Sequence, residues 1–253
     1  MNVLILIFSI MWTLFAVFVT SFSLWRKLSH ERVGQEEKVF DTLLEATVLS
    51  VVVARLAFIF IQFSIFHFSF DKWIDIVQFP GSLEGVGLCV LCISFVRLLG
   101  ETWRDRVEIT DYVSISLALF LFLHSLGNGI NALFLNIGAV VTGGSTHLSF
   151  LGSLILFMFS IVYLGLYLFL NKIEKEYRTF MWYRSSRRSA QTGFVVACFF
   201  IGYGLIGFLL GWFTPSVVTF AGINFDPLLK LLVMVGGVVV LYVRSGRTLF
   251  KQK

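Results

Sequence analysis

Arg55 stands inside a long apolar run as Ala54-Arg55-Leu56. A guanidinium in such surroundings is costly to bury, and its planar fork suits backbone carbonyls, a buried acid or the phosphate of an anionic lipid. Farther along, His124, Asn128 and Asn131 are spaced i, i+4 and i+7, which puts three polar side chains on one helical face. Such residues can bond neighbouring helices within a membrane; alternatively, His124 supplies a base and the asparagines meet a headgroup. Glu84, in Pro80-Gly81-Ser82-Leu83-Glu84-Gly85-Val86-Gly87, reads either as an acid favoured by a helix N-terminus or as a desolvated base. Asp226 and Lys230, four apart, can pair with each other; Asp226 before Pro227 also reads as an N-cap, and Lys230 is a second cation that can hold phosphate. Cys89-x-x-Cys92 has no companion ligand pair and does not read as a zinc site. There is no phosphate-binding loop, serine nucleophile elbow or HExxH, so no metal and no cofactor is expected.

The elements that carry these residues must be membrane helices. Of 253 residues, 57% are hydrophobic and 14% charged, against roughly 45–50% and 25% for a soluble domain. That composition excludes a soluble globular fold, a disordered chain and a disulfide scaffold. The net charge of +5 sits beside apolar runs, where it reports topology and not a nucleic-acid partner. A spanning helix needs about 20 mostly apolar residues, and seven segments qualify: 3–25, 43–66, 81–99, 111–135, 148–170, 192–213 and 227–244. The first lacks a basic leading region and a small-residue cleavage site, so it reads as a retained helix. Lys and Arg number four in 26–38, three in 97–106, six in 172–188 and four in 244–253, whereas the alternate connections hold only Lys72. Cytoplasmic loops carry the excess of Lys and Arg, which predicts an all-α, polytopic bundle of seven spans forming a single domain, N-terminus outside and C-terminus cytoplasmic. On the segment 43–66, Arg55 falls about 18 Å from the inner end, near mid-bilayer.

The order of motifs resembles the bacterial prolipoprotein diacylglyceryl transferase family, which has the same seven spans and orientation. Ala54-Arg55-Leu56 resembles its A-R-L segment, and Gly81, Ser82 and Gly85 its G-M-S-F-H-G-G segment. Ile109-Thr110-Asp111-Tyr112 through Leu126-Gly127-Asn128-Gly129-Ile130-Asn131 resembles the V-x-D-F…G-R-L-G-N-F-I-N-G signature. His147-Leu148-Ser149-Phe150-Leu151 resembles H-P-S-Q-L-Y-E, and Tyr203-Gly204-Leu205 the Y-G-L of the sixth helix. The likeness covers nearly the whole chain through partial motifs, and the departures fall on reactive positions. Glu84 stands where the family has histidine, Ser125 and Leu133 replace an arginine and a glutamate, Gly152 and Ser153 replace Tyr-Glu, and Gly207 and Gly211 replace an arginine and a glutamate.

The resemblance implies a bacterial inner-membrane protein of lipoprotein biogenesis. It implies an outward pocket for an anionic phospholipid such as phosphatidylglycerol, lined by Arg55, Glu84, His124, Asn128 and Asn131 with Lys230 nearby. Family chemistry moves diacylglyceryl to a lipoprotein cysteine; here Glu84 or His124 would assist thiol deprotonation and Arg55 would hold phosphate. A prolipoprotein signal peptide or other membrane subunits are the implied protein partners. An oxyanion-type donor is worth about 2.7–4 kcal/mol in other enzymes, so the missing arginines equally fit a pseudoenzyme, a membrane scaffold or lipid-binding subunit. A transporter would need a polar route between broken helices, and the inner halves of the segments offer few ionisable residues for one.

Overall fold

The computed structural model describes residues 3–31, 36–63, 73, 84–99, 103–141, 147–179, 193–213, 219–220 and 223–244. They form seven helices: α1 (Val3–Glu31), α2 (Glu36–Ile61), α3 (Glu84–Leu98), α4 (Trp103–Val141), α5 (His147–Thr179), α6 (Phe194–Gly211) and α7 (Phe225–Arg244). A two-residue antiparallel pair, β1 (Thr219–Phe220) with β2 (Ile223–Asn224), precedes α7. Five helices, α1, α2, α4, α5 and α6, are long and apolar enough to cross a membrane, and α3 contributes a shorter apolar stretch, Gly85–Leu98.

The helices run past the apolar segments where charged residues continue the helical pattern. α1 reaches Glu31, and α5 continues to Thr179 through Lys172, Glu174 and Lys175. At 39 residues, α4 is about 58 Å long, nearly twice the hydrocarbon core of a bilayer. The same effect moves Arg55: α2 begins at Glu36 and ends at Ile61, so Arg55 lies six residues, about 9 Å, from its last residue and not near the middle of the helix.

The peripheral helices bury a narrow stripe and leave large apolar side chains bare, whereas α4 and α6 are half buried. α1 buries Ala16, Thr20, Leu24 and Leu28, at i, i+4, i+8 and i+12, while Met11, Leu14, Phe18 (70% exposed) and Phe22 face outward. The same holds for Phe60 on α2 (73%), Ile161 on α5 (69%) and Leu232 on α7 (65%). In water these faces would be a patch far beyond a few hundred Å². Hydrocarbon is the solvent that accepts them, since every backbone group of a helix is bonded internally.

Packing places α4 at the centre, against α1, α5, α6 and α3, while α2 packs on α3 and α6 on α7. One core cluster joins Leu24 and Leu28 of α1, Val39 and Ala46 of α2, Leu91 and Phe95 of α3, and Ile109, Tyr112 and Val113 of α4. A second joins Ile115 and Ala118 of α4 to Phe159, Tyr163 and Leu170 of α5, Phe199 and Tyr203 of α6 and Val233 of α7. A membrane offers no hydrophobic drive between helices, so small residues let backbones approach and polar groups bond across. Ala46, Ser50 and Ala54 do this on α2, where Ser50 Oγ donates to the Gly87 carbonyl of α3 at 2.6 Å.

Candidate functional site

The polar face of α4 continues a core-facing stripe. Leu117 and Leu121 pack against the second cluster, and His124, Asn128 and Asn131 follow them at steps of three and four residues along the same side. The interior-facing stripe of α4 therefore turns polar in its C-terminal half. The Asn128 amide and His124 Nε2 are hydrogen-bonded at 3.1 Å, with the direction set by the imidazole tautomer. The imidazole stacks on Phe120, with ring centroids 5.6 Å apart and planes 13° apart. Asn131 Oδ1 is buried and accepts no hydrogen bond among the described residues.

A tryptophan from α1 sits beside this face. Trp12 Nε1 donates to the Leu123 carbonyl of α4 at 2.7 Å, and its indole lies where a Cβ on residue 127 would be. Gly127 is therefore required for α1 to reach α4 at this level. At the other end of α1, Lys27 Nζ donates to Asn171 Oδ1 at 2.9 Å and to Glu174 Oε2 at 3.2 Å, tying α1 to α5.

The two cations that the sequence places within apolar segments, Arg55 and Lys230, are held on other helices. Arg55 Nε and Nη2 both donate to the Trp73 carbonyl at 3.3 Å, and the guanidinium lies 5.7 Å from the Phe58 ring centroid. Phe58 and Ile59 form a small cluster with Trp73, Val86 of α3 and Leu229 of α7. This cluster brings the Arg55 end of α2 to the helix that carries the second cation. There Lys230 Nζ pairs with Asp226 Oδ2 at 2.6 Å, with the lysine side chain buried and the aspartate 30% exposed. The i, i+4 pairing expected from the sequence is thus present. No hydrogen bond among the described residues joins the α4 set to Arg55 or Lys230. Glu84 is the first residue of α3; its side chain lies outside the described residues.

The positions where the family resemblance would place an arginine and a glutamate on α6 are occupied by helix contact. A Cβ on Gly207 would fall on the Lys230 side chain, and one on Gly211 would lie 3.1 Å from Pro227 Cγ. One on Gly204 would lie 2.5 Å from the Lys230 carbonyl oxygen and 2.6 Å from the Met234 nitrogen. Together with Gly237 of α7, set against Phe200 and Ile201, these glycines form a seam in which the two backbones nearly touch.

Asp111 was quoted above only as part of a motif, and the structure gives it a definite task. Its buried carboxylate crosses from α4 to the start of α6, where Oδ2 accepts from the Gly193 N–H and Oδ1 from the Val196 N–H, both at 2.8 Å. Gly193 is the N-cap of α6, at φ 91°, and makes no side-chain cap of its own. Asp111 thus supplies from another helix the two acceptors that a capping box supplies locally, with a negative charge at the positive end of the helix dipole. The sequence signal was an acid at the point where the charged start of α4 gives way to its apolar run, and a glycine heading α6.

Cys89, Cys92 and Cys198 are free thiols. Among the described residues no three His, Cys, Asp or Glu side chains come together as a metal site. Comparison of the chain with family models, with curated proteins and with solved structures finds no match in any of the three.

Proposed function

We propose that this chain is a seven-span protein of a bacterial inner membrane, N-terminus outside and C-terminus cytoplasmic. In this reading it holds an anionic phospholipid such as phosphatidylglycerol without transferring its diacylglyceryl group. The observation that carries the reading is the α6–α7 seam. Gly207 and Gly211, which stand where the resemblance expects an arginine and a glutamate, are buried against Lys230 and Pro227. An arginine fork there would have to part the two helices, so the stabilisation of a departing phosphate that such a fork supplies is replaced by packing. Lipid holding is supported by the groups that remain: Arg55 and Lys230 at the end of the bundle closed by the Phe58 cluster, and the His124, Asn128 and Asn131 face. Seven spans and their orientation are supported by seven helices in chain order and by the loop distribution of Lys and Arg.

The test uses the purified full chain with phosphatidylglycerol and a lipoprotein signal peptide bearing its cysteine. The lipid should be retained in native mass spectra, and the peptide should remain unmodified. Arg55→Gln should lower retention of the anionic lipid in protein that still folds. Phosphatidylglycerol-dependent modification of the peptide would overturn the non-transferring part of the reading; failure to retain the lipid would overturn the rest.

A further inference from the structure

Two helices carry outward faces that mirror each other. On α2, Glu37, Asp41, Leu44, Val48 and Val51 are exposed at alternating steps of four and three residues. They form one stripe, acidic in its first turns and apolar beyond. On α5, Ile161, Gly165, Leu168, Lys172 and Lys175 are exposed with the same alternation, apolar first and basic at the end. Lys38 and Glu45, of opposite sign, flank the acidic turns. The two charged patches stand at one end of the bundle, because α1 ends where α2 begins and Lys27 of α1 bonds Asn171 and Glu174 of α5. They also share a depth: Lys27 lies four residues before the end of α1, and Asp41 five after the start of α2. Since α2 packs on α3, and α5 on α4 and α6, both stripes face away from the chain's own core.

We infer that the α2 stripe docks on the α5 stripe of a second copy lying beside it in the membrane. The inference goes beyond the lipid-holding reading and does not depend on it. The two helices run in opposite directions, so with Asp41 set opposite Lys172 the spacings place Glu37 by Lys175, Leu44 by Leu168 and Val48 by Gly165, each within one residue. A Cβ on Gly165 would meet nothing within 4 Å of its own chain, which leaves a notch for the Val48 side chain and lets the helices close. Copies in one membrane insert the same way up. A two-fold pair of like faces would therefore set equal depths together, acid on acid for α2 and ammonium on ammonium for α5, which is repulsive. Only the unlike faces attract, so the contact is head-to-tail and closes into a ring or continues as a row.

The experiment is oxidative cross-linking in isolated membranes. Full-length Leu44→Cys and Leu168→Cys chains carrying different tags are expressed together, and the wild-type chain with its three native thiols serves as the blank. The mixed product, 44 to 168, should exceed either like-with-like product by about tenfold, because like charges face each other in those. Glu37→Lys with Asp41→Lys in the Leu44→Cys chain should abolish the mixed product. Lys172→Glu with Lys175→Glu in the Leu168→Cys chain should then restore it, since the charges are exchanged across the same contact. All these side chains point outward, so the melting temperatures of the purified variants should match that of the wild-type chain. Like-with-like products in equal yield overturn the inference, as does a mixed product that survives the first reversal or is not restored by the second. Absence of any product between the two chains, the result if a different membrane protein covers α2, overturns it as well and leaves the lipid-holding reading intact.

Discussion

Gly204 and Gly236 lie on facing helices and have opposite surroundings. A Cβ at Gly204 would press on the backbone of α7, at Lys230 and Met234, whereas one at Gly236 would meet nothing within 4 Å. Backbone cannot swing aside as a side-chain tip can, so Gly204→Ala should cost about 1–3 kcal/mol by overpacking. Gly236→Ala should be neutral or gain a few tenths, because alanine is the better helix former by roughly 0.5–1 kcal/mol. Thermal unfolding of the two variants in the same detergent checks the contrast; equal losses would mean that the seam does not form. Of the adjacent pair Gly236-Gly237 only Gly237 packs, against Phe200 and Ile201. Adjacent residues point about 100° apart on a helix, so a dipeptide cannot say which of its members faces the neighbour. The pairing of Lys230 with Asp226 was legible because it is local. The Trp73 carbonyl beneath Arg55 was not, since it comes from another part of the chain.

The start of α6 depends on a group 82 and 85 residues away in sequence, because Asp111 accepts both the Gly193 and the Val196 N–H. Asp111→Asn keeps the shape but leaves one oxygen where there were two, and turns an NH2 toward an N–H donor. The loss should be about 1–3 kcal/mol, concentrated at the first turn of α6. Hydrogen exchange should quicken at residues 194–197 before the rest of the helix responds; uniform exchange across α6 would argue against a cap. All seven helices were legible as apolar runs, because hydrophobic length needs no tertiary information. Their ends were not: the charged turns of α1 and α5 continue a helix that a bilayer-length count cuts short. Nor was the pairing of α1 with α4, because an indole reaching a glycine-cleared carbonyl leaves no periodic trace in either segment.

At the scale of the whole molecule, the outward faces of α1, α2, α5 and α7 carry large apolar side chains, as a bundle solvated by lipid requires. The proposed orientation rests on a different property, the placement of seventeen of the twenty Lys and Arg in alternate connections. Cysteines introduced at Gly144 and Ser186 should react with an impermeant thiol reagent from opposite sides of the membrane, Gly144 from outside. Labelling of both from one side would break the seven-span arrangement. The membrane class was legible from composition alone. The candidate site was legible only as a set of residue types, because Arg55 and Lys230 sit on α2 and α7 while His124, Asn128 and Asn131 ride on α4, and packing alone decides how these helices are arranged.

The bond from Trp12 to Leu123 also sets a schedule for synthesis. The two residues are 111 apart, so at about 5–20 residues per second the indole waits roughly 5 to 20 s after emerging before its acceptor exists. The anchors at the other end of α1, Asn171 and Glu174, follow later still. Of the helices made in that interval, α2 makes little contact with α1 in the finished fold and α3 packs chiefly on α2. The first helix is therefore inserted early and assembled late, and a newborn chain is most open to quality-control proteases or a membrane chaperone while its Trp12 still faces lipid.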